Sequence, residues 1–553
     1  MRTLYKSAAM AALTAVLCAA DANANADKST VCTITVNSPE EKEVFRRNLP
    51  DDKYQFVELV ERGRPDWLAS ACSTGVQCDV LVISGHFDAG TEFYTDRLNQ
   101  RESLPVEEME RASCSDSCPG VFAKLKEVYL FGCNTLNGEV GDSTAAEIGR
   151  SLARSGYPKG DADNVAQLMN QRYAESNRDS MRRIFMNVPV IYGFSSLAPL
   201  GPVAGNVLSR YFQSAPADEL GSGRASPTLL KHFASNSMIA VSGLSESDAR
   251  AETRGQVCQF LDERKTAAQK LDAVRHVLGR DMAETRMLLD RIEKFAGSLG
   301  AAAQSTPVAE ALRAITSDEA LRDRYLAYAR NTDRPAVRAR MIKLANMFGW
   351  LSPDDQRLEL VRMLGDQLAE DSINFADVDL ACSLNQDRKL DQERHRLTLS
   401  PAQAAKVPNA AVLACLGSDE AHGRVLQALT SADDRDVQIA QVYLRHRPIT
   451  DVSELRVAAL GITRMTASEA QVRALDTLAL HYVADRESLD QLTRLFPQAR
   501  SVNVQRAIAG VIIRSDYKAL ERPELVRVLR QYRLKSPDGA DLIDVLIRRL
   551  QLA

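Results

Sequence analysis

The chain has 553 residues, 45% of them hydrophobic and 26% charged, with a formal net charge of −4. That length exceeds one ordinary core, so two or more domains are expected. The slight acidity gives no global attraction to nucleic acid or anionic lipid, and beyond the N-terminus no stretch approaches the ~18 consecutive apolar residues that a membrane span needs.

The first 26 residues read as an export signal. Arg2 and Lys6 supply the positive start, residues 8–20 the apolar stretch, and Ala24-Asn25-Ala26 a small-residue cleavage site before Asp27. Leu17 before Cys18 argues against lipoprotein processing at that cysteine. The expectation is an exported protein, periplasmic or secreted, with no membrane span after signal removal and with disulfides permitted.

From residue 27 to about 244 strand and helix signals alternate. Residues 31–36 (VCTITV) predict a first strand and 39–47 a helix rich in glutamate. Residues 54–60 (YQFVELV) predict a second strand, 66–72 a short helix and 79–84 a third strand. A fourth strand is expected at 127–131, a helix at 143–155 and a fifth strand within 188–194 (VPVIYGF). Helical stretches around 162–185 and 204–212 flank the fifth strand, 215–227 has loop composition, and 237–243 is a candidate last strand. Continuous apolar runs alternating with helices indicate a doubly wound, mostly parallel sheet. Residues 88–120 interrupt the alternation, and an insertion of that length above a strand end is usually a functional loop.

After residue 245 strand signals vanish and amphipathic helices follow one another to the end. Segments 336–347, 437–444, 472–480 and 504–513 share an apolar face with small residues at its centre, and Leu-Ala-Cys recurs at 380–382 and 413–415. Recurrence near 33 residues in an all-helical sequence indicates stacked helix pairs, an α-solenoid. This half resembles HEAT-type repeats and is expected to recruit a protein partner or substrate, folding as its own domain over 245–553.

Nine cysteines follow the signal, so at least one thiol stays unpaired within the chain. The short loops 72–78 and 114–118 can each close locally or cross-pair, and a zinc site from these four lacks the usual C-x-x-C spacing. Cys382 and Cys415 occupy equivalent places in successive repeats, so a bridge is predicted there if their Cα atoms come within ~7 Å.

The chemistry concentrates at two strand ends. CDVLVISGHF (78–87) ends in Ser-Gly-His at His86, and EVYLFGCNT (127–135) carries Gly-Cys at Cys133. In open α/β sheets reactive groups gather beyond the carboxyl ends of the strands. An imidazole and a thiol at the same edge are the minimum for a cysteine nucleophile and its base, and Cys133 is the natural unpaired cysteine because the nucleophile is a thiolate.

This pattern, over roughly residues 31–245, resembles the caspase-like cysteine peptidases: caspases, gingipains, legumains, separases and CHAT-type members. In caspases the histidine lies about 50 residues before the cysteine; here it lies 47 before. The resemblance implies a caspase-like fold and hydrolysis of a protein or peptide through an acyl-enzyme, with His86 and Cys133 catalytic and the backbone N–H groups of Phe87 and Cys133 receiving the oxyanion. It implies no metal and no organic cofactor. Phe87 stands where the family usually has glycine, and Leu130-Phe131 replace the Gln-Ala of the caspase signature, so aspartate specificity does not carry over. No pocket residue stands out from Asp88, Glu92, Asp96 and Asp142. No G-x-S-x-G, P-loop or H-E-x-x-H motif competes, and the six other histidines lack ligand spacing. A catalytically inactive domain serving as a protein-interaction module is the alternative.

Overall fold

The structure, a computed structural model, describes residues 28–552 except 60–67, 88–89, 96–101, 115–117, 140–159, 161–164, 166–174, 215–218, 249, 281, 333, 371–372, 518–519, 521 and 536–540. The expected export signal, the helix expected at 143–155, and Asp88, Asp96 and Asp142 lie outside the described residues. The described chain divides into two compact units, with the boundary between Leu321 and Arg322.

The first unit is built on a six-stranded sheet. Its strands are β1 (Ser29–Thr35), β2 (Tyr54–Glu58), β3 (Val80–Ser84), β6 (Glu127–Phe131), β7 (Val190–Phe194) and β8 (Met238–Val241), in spatial order β2-β1-β3-β6-β7-β8. Neighbours are parallel except β7 with β8. The three central strands β3, β6 and β7 are buried at every position, as strands covered on both faces must be. Alternate residues build two cores. Leu81, Ile83, Val128, Leu130 and Ile191 form one; Val80, Val82, Tyr129, Phe131, Val190 and Tyr192 form the other. The second face is covered by α1 (Glu40–Asn48), α6 (Gly201–Ser214) and α7 (Pro227–His232), through Val44, Phe45, Leu208, Tyr211 and Leu229. The first face carries α2 (Ala69–Thr74), α3 (Val106–Cys114), α4 (Pro119–Ala123) and α5 (Asn177–Ile184), through Ala71, Met109, Val121 and Met181.

The described residues within 88–120 carry regular structure rather than a plain insertion loop. They hold an antiparallel hairpin, β4 (Glu92–Tyr94) with β5 (Ser103–Pro105), followed directly by α3. Phe93, Leu104 and Met109 are buried in the first-face core. Three-residue strands are too short to show a period in sequence, which is why the apolar signal here did not read as structure.

The cysteines pair as Cys32–Cys78, Cys72–Cys118, Cys114–Cys258 and Cys382–Cys415. Neither short loop closes on itself. Cys78 precedes β3, which lies beside β1 and its Cys32, and strand adjacency decides that partner. Four such pairs, and the absence among the described residues of a helix long and apolar enough to cross a membrane, fit an exported protein.

Strands give way to helices after β8, yet the first compact unit continues to Leu321. Helix α8 (Ala251–Leu261) is bridged to α3 by Cys114–Cys258. Beside the bridge the Arg254 guanidinium donates to the Ser113 carbonyl at 2.7 Å and to the Arg183 carbonyl at 3.1 Å. Glu110 on α3 is buried and accepts hydrogen bonds from both Arg183 and Arg291.

The second unit is all-helical among the described residues. Helices Pro335–Met347, Phe375–Leu384, Val407–Cys415, Asp434–His446, Ser468–Leu478, Val502–Ile513 and Leu542–Leu552 pack each on the next in that order. Helices Asp419–Ala428, Val452–Thr463 and Arg486–Leu495 pack in a second row. The four segments that share an apolar face in sequence all fall in the first row. Cys382 and Cys415 sit on consecutive members of that row, with Cα atoms 4.7 Å apart.

Candidate active site

Strand register brings the two chemistry-bearing residues together. Ser84 at the end of β3 pairs with Phe131 at the end of β6. His86 lies two residues past the first and Cys133 two past the second, so the pleat turns both toward the face covered by α1 and α6. Both side chains line one cavity of about 50 Å3, with Ser38 and Glu41 from the start of α1 and Ala198–Gly201 from the loop between β7 and α6.

Each residue is held from its backbone. The Gly85 N–H donates to the Phe131 carbonyl at 3.1 Å, which keeps the two strand ends paired beyond the sheet proper. His86 and Tyr94 exchange backbone hydrogen bonds of 2.9 and 2.8 Å, and the imidazole lies over the Tyr94 ring with centroids 5.4 Å apart. The hairpin in the 88–120 segment thus supports the histidine. Gly132 is required by close approach: a Cβ there would lie 2.8 Å from the Phe87 Cβ and 3.0 Å from the Gly85 carbonyl oxygen. Phe87 is buried against Phe93, with ring centroids 4.7 Å apart, so its side chain points into the opposite core while His86 faces the cavity. A glycine on the cysteine strand makes room for the phenylalanine on the histidine strand.

The chain turns sharply after the thiol. Asn134 adopts φ 59°, a left-handed conformation that asparagine tolerates better than most residues. Its N–H donates to the Ser196 carbonyl at 2.7 Å, and its carbonyl accepts from Asn177 Nδ2 at 3.0 Å. Thr135 is fully buried; its hydroxyl donates to the Gly132 carbonyl and accepts from the Phe194 N–H, each at 3.1 Å. Among the described residues the amides of Phe87 and Cys133 donate to no protein acceptor.

Cys133 is the free cysteine among the described residues and is half-buried. Its Sγ accepts the Ala198 N–H at 3.3 Å, which fixes the sulfur at the mouth of the β7–α6 segment. Sequence reasoning missed this donor, because nothing in an alanine 65 residues further along the chain marks it as facing a sulfur.

It also missed Glu41. The carboxyl is buried at 2% exposure and accepts the Ser38 hydroxyl at 2.5 Å, while the Ser38 carbonyl accepts the Ser84 hydroxyl at 2.8 Å. Burial pushes its pKa from 4.5 up to about 7, the Ser38 hydrogen bond pulling the other way. An acid raised on folding holds its proton more tightly in the folded protein. Stability from this group is therefore complete below pH 4.5 and lost as pH rises through about 7. The loss amounts to about 3 kcal/mol. Glu41→Gln is expected to flatten the fall in stability between pH 5 and pH 8 by about that amount, read from denaturant midpoints at the two pH values. Identical pH slopes for variant and parent would contradict it.

Among the described residues no group of three or more His, Cys, Asp or Glu side chains is placed to hold a metal ion. A scan against protein-family models, a search of curated proteins and a search of solved structures each find no match to the chain.

Proposed function

We propose that the chain is an exported cysteine endopeptidase of the caspase-like type, periplasmic or secreted, whose helical-repeat region recruits a substrate or partner. The observation that carries this reading is the meeting of His86 and Cys133 in one cavity, at equivalent register past adjacent parallel strand ends. Cys133 attacks the scissile carbonyl, and the N–H groups of Phe87 and Cys133 receive the oxyanion. His86 protonates the leaving amine and then activates water to release the acyl group. The scheme uses no metal or organic cofactor. Two rows of helices packed in chain order, with sequence similarity confined to the first row, support a HEAT-like α-solenoid in the second unit.

Thiol reactivity tests the proposal. The second-order rate of Cys133 carbamidomethylation by iodoacetamide at pH 7, followed by peptide mapping, is expected to exceed that of an ordinary thiol such as glutathione several-fold and to fall to that level in His86→Ala. A rate no higher than that of the ordinary thiol leaves Cys133 unactivated and turns the domain into a catalytically inactive interaction module.

A further inference from the structure

Three large apolar side chains stand in solvent beside the thiol: Leu197 at 73% exposure, Leu200 at 67% and Val203 at 52%. Scattered exposed leucines are ordinary, but clustered ones mark binding surfaces. These three fall within seven residues, on the segment whose Ala198 N–H reaches Cys133 Sγ and whose Leu200 lines the dyad cavity. No charged residue lies between Ser195 and Ser209.

The segment is anchored rather than loose. The Val203 and Ala204 N–H groups both donate to the Leu200 carbonyl at 2.9 Å, starting α6. A Cβ at Gly201 would lie 2.4 Å from Ser38 Oγ, so the segment is pressed against the start of α1. Leu200 and Val203, three apart at the helix start, share a side.

The cavity at the dyad holds about 50 Å3, roughly a third of the ~150 Å3 that encloses a benzene-sized ligand. It admits a carbonyl group or water but not a large side chain. A substrate bonded to Cys133 must lay its neighbouring side chains outside, and through Leu200 this apolar segment is continuous with the cavity.

We infer that Leu197, Leu200 and Val203 form the specificity surface of the site, selecting an extended peptide with large apolar side chains next to the scissile bond. The inference rests on the peptidase reading above and names the substrate class it would take. Tripeptidyl acyloxymethyl ketones, in which Cys133 sulfur displaces the carboxylate to form a thioether, are suitable probes. One series carries leucine and phenylalanine, the other aspartate, lysine and serine. The second-order rate of Cys133 alkylation is expected to favour the apolar series by roughly tenfold or more, since each well-placed apolar contact discriminates on that scale. In the double variant Leu197→Ser/Leu200→Ser the apolar-to-polar rate ratio should fall toward one. The ratio within each protein cancels any change in thiol reactivity. Equal rates in the parent, or a preference that survives the double variant, overturn the inference. An apolar preference on a thiol of ordinary iodoacetamide reactivity supports the surface while defeating the peptidase reading.

Discussion

Cys133→Ala and His86→Ala are each expected to lower peptide hydrolysis by at least about 1,000-fold, and the double variant by no more than the worse single one. On the proposed mechanism the two fail together: without the imidazole there is no base for the thiol and no acid for the leaving amine, and without the thiol the imidazole has nothing to activate. Both residues are half-buried at a cavity rather than in either core. Their truncation should therefore shift stability by less than about 1 kcal/mol. Assay and melt together decide between roles. Additive losses would mean that the two side chains act independently, and a large drop in melting temperature would recast them as packing residues.

The largest stability effect is expected at the Cys114–Cys258 bridge. It closes a loop of 144 residues in sequence separation and ties α8 to α3. Chain entropy alone assigns such a loop roughly 5 kcal/mol, of which engineered removals often recover less. Cys114→Ser/Cys258→Ser should thus lower unfolding free energy by about 3–5 kcal/mol, a shift of order 10 °C for a unit of this size. The neighbouring contacts of Arg254 and Glu110 remain in the variant, so the sheet should keep its far-ultraviolet signal at low temperature. Equal denaturant midpoints for variant and parent, with both cysteines alkylated in the unreduced parent, would remove the bridge. The consequence reaches the architecture: helices past Leu244 belong to the compact unit of the sheet, and a cut at that point would take away half of a disulfide and the Arg291 partner of buried Glu110.

The sheet was legible in the chain because each central strand is buried on both faces, which forces continuous apolar runs such as Val80–Ser84 and Glu127–Phe131. Helix α1 was legible from the glutamates that open it, and α6 as a helical stretch around 204–212. His86 and Cys133 could be singled out because a polar, reactive residue directly beyond an apolar run is placed by the strand itself. Odd cysteine number pointed to one free thiol, and the recurring Leu-Ala-Cys pointed to the Cys382–Cys415 pair.

What the tertiary structure alone decided depends on residues far apart in sequence that carry no local signal. Glu41 reads as one of three glutamates opening a surface helix, and only packing of α1 against the strand ends buries it in the cavity with His86 and Cys133. Ala198 has no polar side chain, so its N–H on the Cys133 sulfur follows from the β7–α6 path and from nothing in composition. The partners of Cys32, Cys72 and Cys114 were set by strand and helix adjacency, while sequence spacing favoured none of them. The positions of His86 and Cys133 along the chain were determined by the sequence; that both line one cavity was decided by the Ser84–Phe131 register, because a slip of one residue in either strand end would turn one side chain to the opposite face.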